Sequence, residues 1–349
     1  MSKRMLITGN FGYIGSVMAP YFLEHGYQVT GLDTGYFASC VLGKAPRGVK
    51  TIQKDIRDVS ARDLEGFDAV IHLAALSNDP IGNLSADWTE QINFQASVSV
   101  ARLAREAGVS RFLFSSSCVM YGMSEAAIAT EDSPLDPRTE YARSKVKAEE
   151  EIRKLACPGF SPVFLRNGTI YGYSPRMRFD TVLNDLVASA LTTGKVVLHS
   201  NGLPWRPVVH VEDVARSFHH VLEAPVEKIH NQVFNNGSQD LNHQVFELAQ
   251  FAAQAVPGSE VEIRAESGAD QRTYKADFTK FKTAFPTFRF KWTARTGAEE
   301  LAEAYRRVGL KESDYSGLKY VRLRWLRSLI DAGKLDGSLR WQVAPVGKR

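Results

Sequence analysis

Short runs of apolar residues alternate with longer stretches of helical spacing along the first half of the chain. Apolar runs of strand length occupy residues 4–8, 28–32, 51–53, 69–74, 111–115 and 162–166. Apolar positions recur every three or four residues over 14–25, 88–107 and 141–155. This second spacing predicts amphipathic helices. Strands that alternate with helices are typical of βαβ units, so the pattern predicts an α/β fold built on a parallel sheet.

The pattern changes after about residue 168, where prolines divide the chain into shorter pieces. Helical spacing continues at 181–193, 212–222, 243–256 and 296–308, and strand-like runs lie at 208–211 and 261–264. We therefore predict a first domain over residues 1–170 and a smaller mixed lobe over 171–308. Segments at about 208–236 are expected to return to the first domain.

A glycine-rich turn joins the first predicted strand to the first predicted helix. Its sequence, TGNFGYIG at residues 8–15, places Gly9, Gly12 and Gly15 in a TGxxGxxG pattern. Glycines there permit a tight turn and let a pyrophosphate approach backbone N–H groups at the start of the helix. The strand before the turn and the helix after it favour dinucleotide binding over an ordinary strand–helix turn.

Asp33 ends the next predicted strand, 18 residues beyond Gly15. A carboxylate at this spacing is suited to accept hydrogen bonds from the adenosine ribose, and it would repel a 2′-phosphate, so NAD is predicted over NADP. The alternative is a solvent-facing turn residue. The glycine turn and Asp33 together predict a Rossmann-type doubly wound parallel sheet over residues 1–170. The smaller mixed α/β lobe that follows is predicted to be the C-terminal substrate lobe.

A second group of residues suggests proton transfer. Tyr141 and Lys145 form a YxxxK pair on a predicted helix, where positions i and i+4 share one face. A phenol with a pKa of ~10 is a poor base at neutral pH, but a nearby ammonium group lowers that pKa. Ser117 ends the strand before this helix and is suited to hydrogen-bond the reacting oxygen. We predict that these three residues are catalytic, with a surface tyrosine and lysine as the alternative.

Taken together, these motifs resemble the extended short-chain dehydrogenases/reductases, the group of nucleotide-sugar epimerases and dehydratases. The resemblance runs from about residue 4 to about residue 308. It rests on TGNFGYIG (8–15), Asp33, KDIRD (54–58), HLAA (72–75), SSSCVMYG (115–122), YARSK (141–145), LRNGTIYG (165–172) and RPVVHVEDVA (206–215). The combination is specific for the family and much less specific for the reaction.

The resemblance implies an NAD site along one edge of the predicted sheet. The residues that it assigns to the cofactor are Gly9, Phe11, Gly12, Tyr13, Ile14, Gly15, Asp33, Asp55, Ile56, Leu73, Ala74, Ala75, Asn93, Ser115, Tyr141 and Lys145. Within this set, Phe11, Tyr13 and Ile14 are expected at the pyrophosphate. Asp55 and Ile56 are expected at the adenine.

The resemblance also implies contacts to a nucleotide-diphosphate sugar. The residues expected at the substrate are Ser77, Asn78, Ser117, Cys118, Thr169, Arg178, Arg206 and Arg272. Arg206 matches an arginine that contacts the substrate diphosphate. Thr169 stands where the family has a binding asparagine, and the family's late arginine is absent, so Arg178 or Arg272 is expected to replace it. A simple turn-forming cluster is the alternative for residues 77–78.

One departure from the family bears on the reaction. In its 4,6-dehydratases, an Asp-Glu pair follows the catalytic serine or threonine and moves the protons of water elimination. Cys118 and Val119 occupy these positions here, which argues against that mechanism. Cys118 is expected to be either an unusual acid or a small packed thiol.

The predicted function is therefore NAD-dependent oxidoreduction of a nucleotide-diphosphate sugar, above all epimerisation through a transient keto sugar. A ketoreductase or dehydrogenase that exchanges its cofactor is the alternative reaction. A non-catalytic NAD-binding sensor or scaffold is the alternative of another class.

The charge and composition of the chain indicate which kinds of binding partner are expected. The chain of 349 residues has a net charge of +4, but residues 316–349 carry eight basic and two acidic residues, so residues 1–315 sum to −2. That balance does not indicate a nucleic-acid binder. Three separate cysteines indicate neither a disulfide framework nor a metal site. No membrane span and no signal peptide are expected. We expect a cytoplasmic homodimer in which residues 309–349 form a basic helical extension for packing or subunit contact.

Overall fold

Seven parallel strands form the central sheet, in the order β10-β6-β5-β4-β1-β2-β3. The computed structural model describes residues 3–77, 82, 84–123, 128–264 and 272–342. The strands of this sheet are β1 (Arg4–Thr8), β2 (Gln28–Asp33), β3 (Lys50–Gln53), β4 (Ala69–His72), β5 (Arg111–Ser117), β6 (Ser161–Asn167) and β10 (Val233–Asn236). The strand order reverses direction beside β1, so the carboxyl ends of β1 and β4 flank a crevice suited to a ligand.

Helices cover both faces of the sheet because successive strand residues point to opposite sides. In β1, Met5 and Ile7 join a core that includes the helices Gly15–Glu24 and Val211–Glu223. Leu6 joins the core on the other face. The predicted doubly wound parallel sheet is therefore confirmed.

Most helices of the described chain connect one strand to the next, either within the central sheet or within the smaller lobe. Their bounds are Gly15–Glu24, Ala86–Thr89, Ala96–Glu106, Glu140–Arg153, Val182–Thr193, Val211–Glu223, Val226–Ile229, Val245–Ala255, Thr279–Ala284, Ala294–Val308, Glu312–Tyr315 and Arg322–Asp331. A π-helical stretch, Glu90–Gln95, interrupts the helix predicted over 88–107.

The smaller lobe contains two short sheets. Its strands are β7 (Thr169–Tyr171), β8 (Lys195–Leu198), β9 (Trp205–His210), β11 (Asn242–Gln244) and β12 (Glu260–Ile263), paired as β11-β9-β7 and β12-β8. The helices Val182–Thr193, Val245–Ala255 and Ala294–Val308 pack around a shared apolar core. The segment at about 208–236, which is expected to return to the first domain, contains β10 and part of β9. β10 pairs with β6 in the central sheet, whereas β9 pairs with β7 in the smaller lobe.

Residues 312–342 are here called the C-terminal segment. Tyr315 and Tyr320 pack against the smaller lobe, and the later part of the segment packs on the first domain. Leu326, Leu329, Leu335 and Leu339 are buried in the same core as Leu6 of β1. Within the described ranges, the structure contains no helix that is long and apolar enough to cross a membrane.

Candidate functional site

The glycine turn lies at the carboxyl end of β1, against the end of β4. Gly9 has a φ of 75°, and a Cβ atom there would come within 2.8 Å of the Ala74 backbone nitrogen. A Cβ on Gly15 would lie 2.3 Å from the Gly9 carbonyl oxygen. Neither position has room for a side chain, so a ligand can approach the backbone of the turn closely. This geometry fits the pyrophosphate of a dinucleotide.

Asp33 stands at the end of β2 beside this turn. Its Oδ2 accepts a hydrogen bond from the Phe11 backbone N–H at 2.9 Å, and its Oδ1 accepts one from Gly35 N–H at 2.7 Å. Burial raises the pKa of Asp33, while the two backbone donors and the guanidinium groups of Arg176 and Arg322 oppose this shift. The two backbone donors thus fix the orientation of the carboxylate beside the glycine turn.

A continuous cleft, here called the cofactor cleft, runs from the end of β3 past the glycine turn. The described residues that line it are Gly9, Gly12, Tyr13, Ile14, Gly15, Asp33, Thr34, Tyr36, Phe37, Asp55, Ile56, Leu73, Ala74, Ala75, Leu76, Ser77, Ile92, Arg178 and Arg322. At its outer end, burial raises the pKa of Asp55, but hydrogen bonds from Arg57 outweigh burial and leave that pKa below its usual value. The two side chains form an ion pair of 2.7 Å.

Phe11, Asn93 and Ser115, which are also predicted to bind the cofactor, are not among the described residues that line this cleft. The Phe11 ring packs 4.6 Å from the Arg176 guanidinium carbon. Asn93 is buried, and its amide donates to the Leu76 carbonyl at 3.0 Å and accepts from the Leu76 N–H at 2.7 Å. Ser115 accepts a hydrogen bond from the Asn167 amide at 3.1 Å. Asn93 therefore fixes the backbone of a residue that lines the cleft.

The predicted catalytic residues meet in a second cavity, of about 700 Å³, which adjoins the cofactor cleft. Ser117 ends β5, and Tyr141 and Lys145 lie on the helix Glu140–Arg153, here called the catalytic helix. Thr139 caps this helix by accepting from the Ala142 N–H at 3.2 Å. All three side chains line the cavity, which we call the substrate cavity.

Lys145 is nearly completely buried within this arrangement. Its Nζ donates to the Ser115 carbonyl at 2.8 Å and lies 4.5 Å from the centre of the Phe114 ring. Burial lowers the pKa of Lys145 to about 8, against the opposing charge of Glu149. The ammonium group is 5.9 Å from the centre of the Tyr141 ring, so at neutral pH its charge favours the phenolate form of that tyrosine.

Five of the predicted substrate residues besides Ser117 line the substrate cavity: Ser77, Thr169, Arg178, Arg206 and Arg272. Arg206 donates from Nη1 to the Trp205 carbonyl at 2.9 Å and to the Arg272 carbonyl. Arg178 pairs with Asp180 at 2.7 Å and donates to Ser77 Oγ at 3.3 Å. Asn78 lies outside the described residues.

Among the described residues predicted to contact the substrate, Cys118 is the one that does not line the substrate cavity. Its thiol is completely buried, and Sγ donates to the Arg166 carbonyl at 3.1 Å rather than facing the cavity. Burial raises the pKa of this thiol strongly. The structure thus places the Cys118 thiol in the protein interior and not on the wall of the substrate cavity.

Sequence reasoning missed several residues that shape both cavities. Asp180, which holds Arg178, lies in an alternating Arg-x-Arg-x-Asp stretch at 176–180 that offered a local signal. Tyr36, Phe37 and Arg322 line the cofactor cleft without any such signal. Arg322 comes from the C-terminal segment, far along the chain from the other residues of the cleft.

The glycine turn and Asp33 line the cofactor cleft, and Ser117, Tyr141 and Lys145 line the substrate cavity that adjoins it. The fold and the site thus define a short-chain dehydrogenase/reductase of the extended type. The model of the NAD dependent epimerase/dehydratase family matches residues 5–237. The chain belongs to that family and is an NAD-dependent enzyme.

Individual relatives include both epimerases and dehydratases. The chain is 28% identical to UDP-glucose 4-epimerase of Corynebacterium glutamicum over 254 residues, which cover 68% of this chain and 76% of that protein. It is 26% identical to dTDP-D-glucose 4,6-dehydratase of Mus musculus over 280 residues, or 77% of each chain. The structure of the dTDP-glucose 4,6-dehydratase DesIV from Streptomyces venezuelae, which contains NAD, superposes with a TM-score of 0.75 at 25% identity, covering 89% of this chain and 99% of that one.

Proposed function

We propose that this protein epimerises a nucleotide-diphosphate sugar through a transient keto sugar, with NAD retained and regenerated in place. The observation that carries the proposal is the set of residues in the substrate cavity. Ser117, Tyr141 and Lys145 meet there beside three arginines, and Asp180 is the one carboxylate among the described residues that line it. Epimerases and dehydratases among the relatives act on nucleotide sugars, which supports the same substrate class for this chain.

In this proposal, Tyr141 acts as the general base and general acid. Its phenolate takes the proton of the sugar hydroxyl that is oxidised, and it returns a proton when the ketone is reduced. Lys145 favours the phenolate by its charge, and the Ser117 hydroxyl hydrogen-bonds the reacting oxygen. NAD, when bound, supplies the hydride acceptor for the first half of the cycle and the hydride donor for the second.

The diphosphate of the substrate is assigned to the arginines of the substrate cavity. Arg206 is held by the backbone carbonyls of Trp205 and Arg272. A planar guanidinium fork suits phosphate oxygens. Arg178, which pairs with Asp180, lines the same cavity as Arg206 and Arg272, and all three are candidates to bind the diphosphate.

A dehydratase needs groups that move the protons of water elimination. Asp180 is the one carboxylate among the described residues that line the substrate cavity, and it is engaged by Arg178 at 2.7 Å. The two positions after Ser117 carry the buried Cys118 and Val119. Epimerisation needs no such acid–base pair, so these residues favour it over the dehydratase reaction of equally similar relatives.

The proposal is tested by analysing the product formed with catalytic NAD. A thermal-shift screen of UDP-, dTDP-, GDP- and CDP-sugars in the presence of NAD first selects the substrate, because a bound ligand raises the unfolding temperature. Mass spectrometry and NMR of the reaction should then show a product of unchanged mass and inverted configuration.

Two other results identify the alternatives. Loss of one water from the product would establish a dehydratase. Accumulation of NADH in proportion to product would establish a reductase or dehydrogenase that exchanges its cofactor. A cytoplasmic location and a homodimer remain predictions within this proposal.

A further inference from the structure

One arginine of the C-terminal segment reaches the cofactor cleft without a partner for its charge. Arg322 is 1% exposed, although it lies in the most basic part of the chain. Its Nη2 donates to the Arg176 carbonyl at 2.6 Å. Its Nη1 is buried and has no hydrogen-bond partner among the residues that the structure describes. The side chain lines the cofactor cleft together with Asp33 and Arg178.

The surroundings of Arg322 leave its guanidinium charge without a dedicated carboxylate. Asp180 accepts a hydrogen bond from the backbone N–H of Arg322 at 3.2 Å, but its other oxygen pairs with Arg178. Both oxygens of Asp33 are engaged by backbone N–H groups. Burial, together with the charge of Arg178, lowers the pKa of Arg322 to about 10. A buried cation with an unmade hydrogen bond is costly, which points to an anion supplied by a ligand.

The C-terminal segment is fixed to the loop that follows Asp33. Trp325 donates from Nε1 to the Tyr36 carbonyl at 2.7 Å, and Trp341 donates from Nε1 to the Thr34 carbonyl at 2.7 Å. The Phe37 ring packs 4.5 Å from the guanidinium carbon of Arg322. These contacts orient Arg322 without neutralising it, since two of them are made by Trp325 and Trp341 of the same segment and the third is an aromatic face.

We propose that Arg322 binds the diphosphate of the cofactor, which makes the C-terminal segment part of the NAD site. This assignment rests on the placement of NAD in the cofactor cleft. The diphosphate is the group that fits, because the glycine turn presents its backbone to the same cleft and a guanidinium fork pairs with two phosphate oxygens. A 2′-phosphate is disfavoured by the carboxylate of Asp33 in the same wall.

Such a contact has a consequence for catalysis. A cofactor that must be regenerated in place has to stay bound while the keto sugar turns over. An ion pair between Arg322 and the diphosphate is expected to slow cofactor release.

The assignment is tested by calorimetric titration of the nucleotide-free protein with NAD, ADP-ribose and adenosine. Arg322→Met keeps the length of the side chain and removes its charge. We expect this variant to bind NAD and ADP-ribose about 10- to 100-fold more weakly, with adenosine, measured by competition, unchanged. Arg327→Met is the matched control, since Arg327 is exposed on the same helix, and it should bind all three ligands as the wild type does.

The outcomes separate the possible failures. Equal losses for adenosine and ADP-ribose would show a structural role and overturn the assignment, as would unchanged binding of all three. If the wild type binds neither NAD nor ADP-ribose, the placement of the cofactor is wrong and both proposals fall.

A measurement on the wild type keeps the test independent of how Arg322→Met folds. ADP-ribose should slow hydrogen exchange at residues 321–325 more than adenosine does. Equal protection by the two ligands would contradict a contact to the diphosphate.

Discussion

Replacing Tyr141 with phenylalanine is expected to lower kcat by about 10²- to 10⁴-fold. The variant removes one hydroxyl from the substrate cavity and leaves the aromatic packing in place. Because Tyr141 is the proposed base, the oxidised sugar cannot form at a useful rate. Steady-state assay with the selected nucleotide sugar measures the loss, and calorimetry should show that NAD binding changes little.

Tyr21→Phe is the matched control for this substitution. Tyr21 lies on the helix Gly15–Glu24, and its hydroxyl bonds His219 at 3.3 Å, away from both cavities. This variant should retain wild-type kcat. A Tyr141→Phe enzyme with nearly full activity would rule out the proposed proton transfer and favour a non-catalytic, NAD-binding role.

The second large effect is expected on stability, when the buried ion pair between Glu149 of the catalytic helix and Arg166 is broken. Glu149, one turn after Lys145, accepts from Arg166 Nη2 at 2.7 Å and from its Nε at 3.2 Å, and both side chains are about 95% buried. Glu149→Gln leaves the arginine charge buried without its counterion. We expect the free energy of unfolding to fall by about 3 kcal/mol, measured by urea denaturation.

An exposed pair on the same helix provides the control. Glu151 pairs with Lys154 at 2.6 Å with both side chains largely in solvent, so Glu151→Gln should change the unfolding free energy by about 0–1 kcal/mol. Equal effects of the two variants would mean that the buried pair does not brace the helix.

Glu149→Gln should also change the pH dependence of the enzyme's activity. The charge of Glu149 raises the pKa of Lys145, against the larger effect of burial. Its removal lowers that pKa further, so Lys145 loses its proton at a lower pH. The alkaline limb of the activity profile should therefore shift to lower pH in Glu149→Gln and stay in place in Glu151→Gln.

The fold and the inner part of the site are predictable because they depend on local pattern. The glycine turn, Asp33 and the Tyr141–Lys145 pair each sit at a strand or helix boundary that the sequence marks with its apolar spacing. Parallel strands bring their carboxyl ends to one edge, so these residues meet in space without further information.

The remaining parts depend on packing between distant segments. Nothing near Arg322 in sequence indicates that it is buried against the loop after Asp33, because its burial follows from four leucines that join the first core. The position of Cys118 is similar: the residue follows the catalytic serine, but the turn after β5 directs its thiol to the Arg166 carbonyl. Periodicity describes single elements and carries no information about such contacts.

The most direct test of the epimerase proposal is the fate of the carbon-bound hydrogen. A nucleotide sugar with deuterium on every carbon of its hexose is incubated with the enzyme and catalytic NAD in ordinary water, and the epimer is analysed by NMR and mass spectrometry. The account predicts an epimer that retains all of its deuterium. Loss of deuterium to solvent or to free reduced cofactor would contradict a hydride that is returned within the same site.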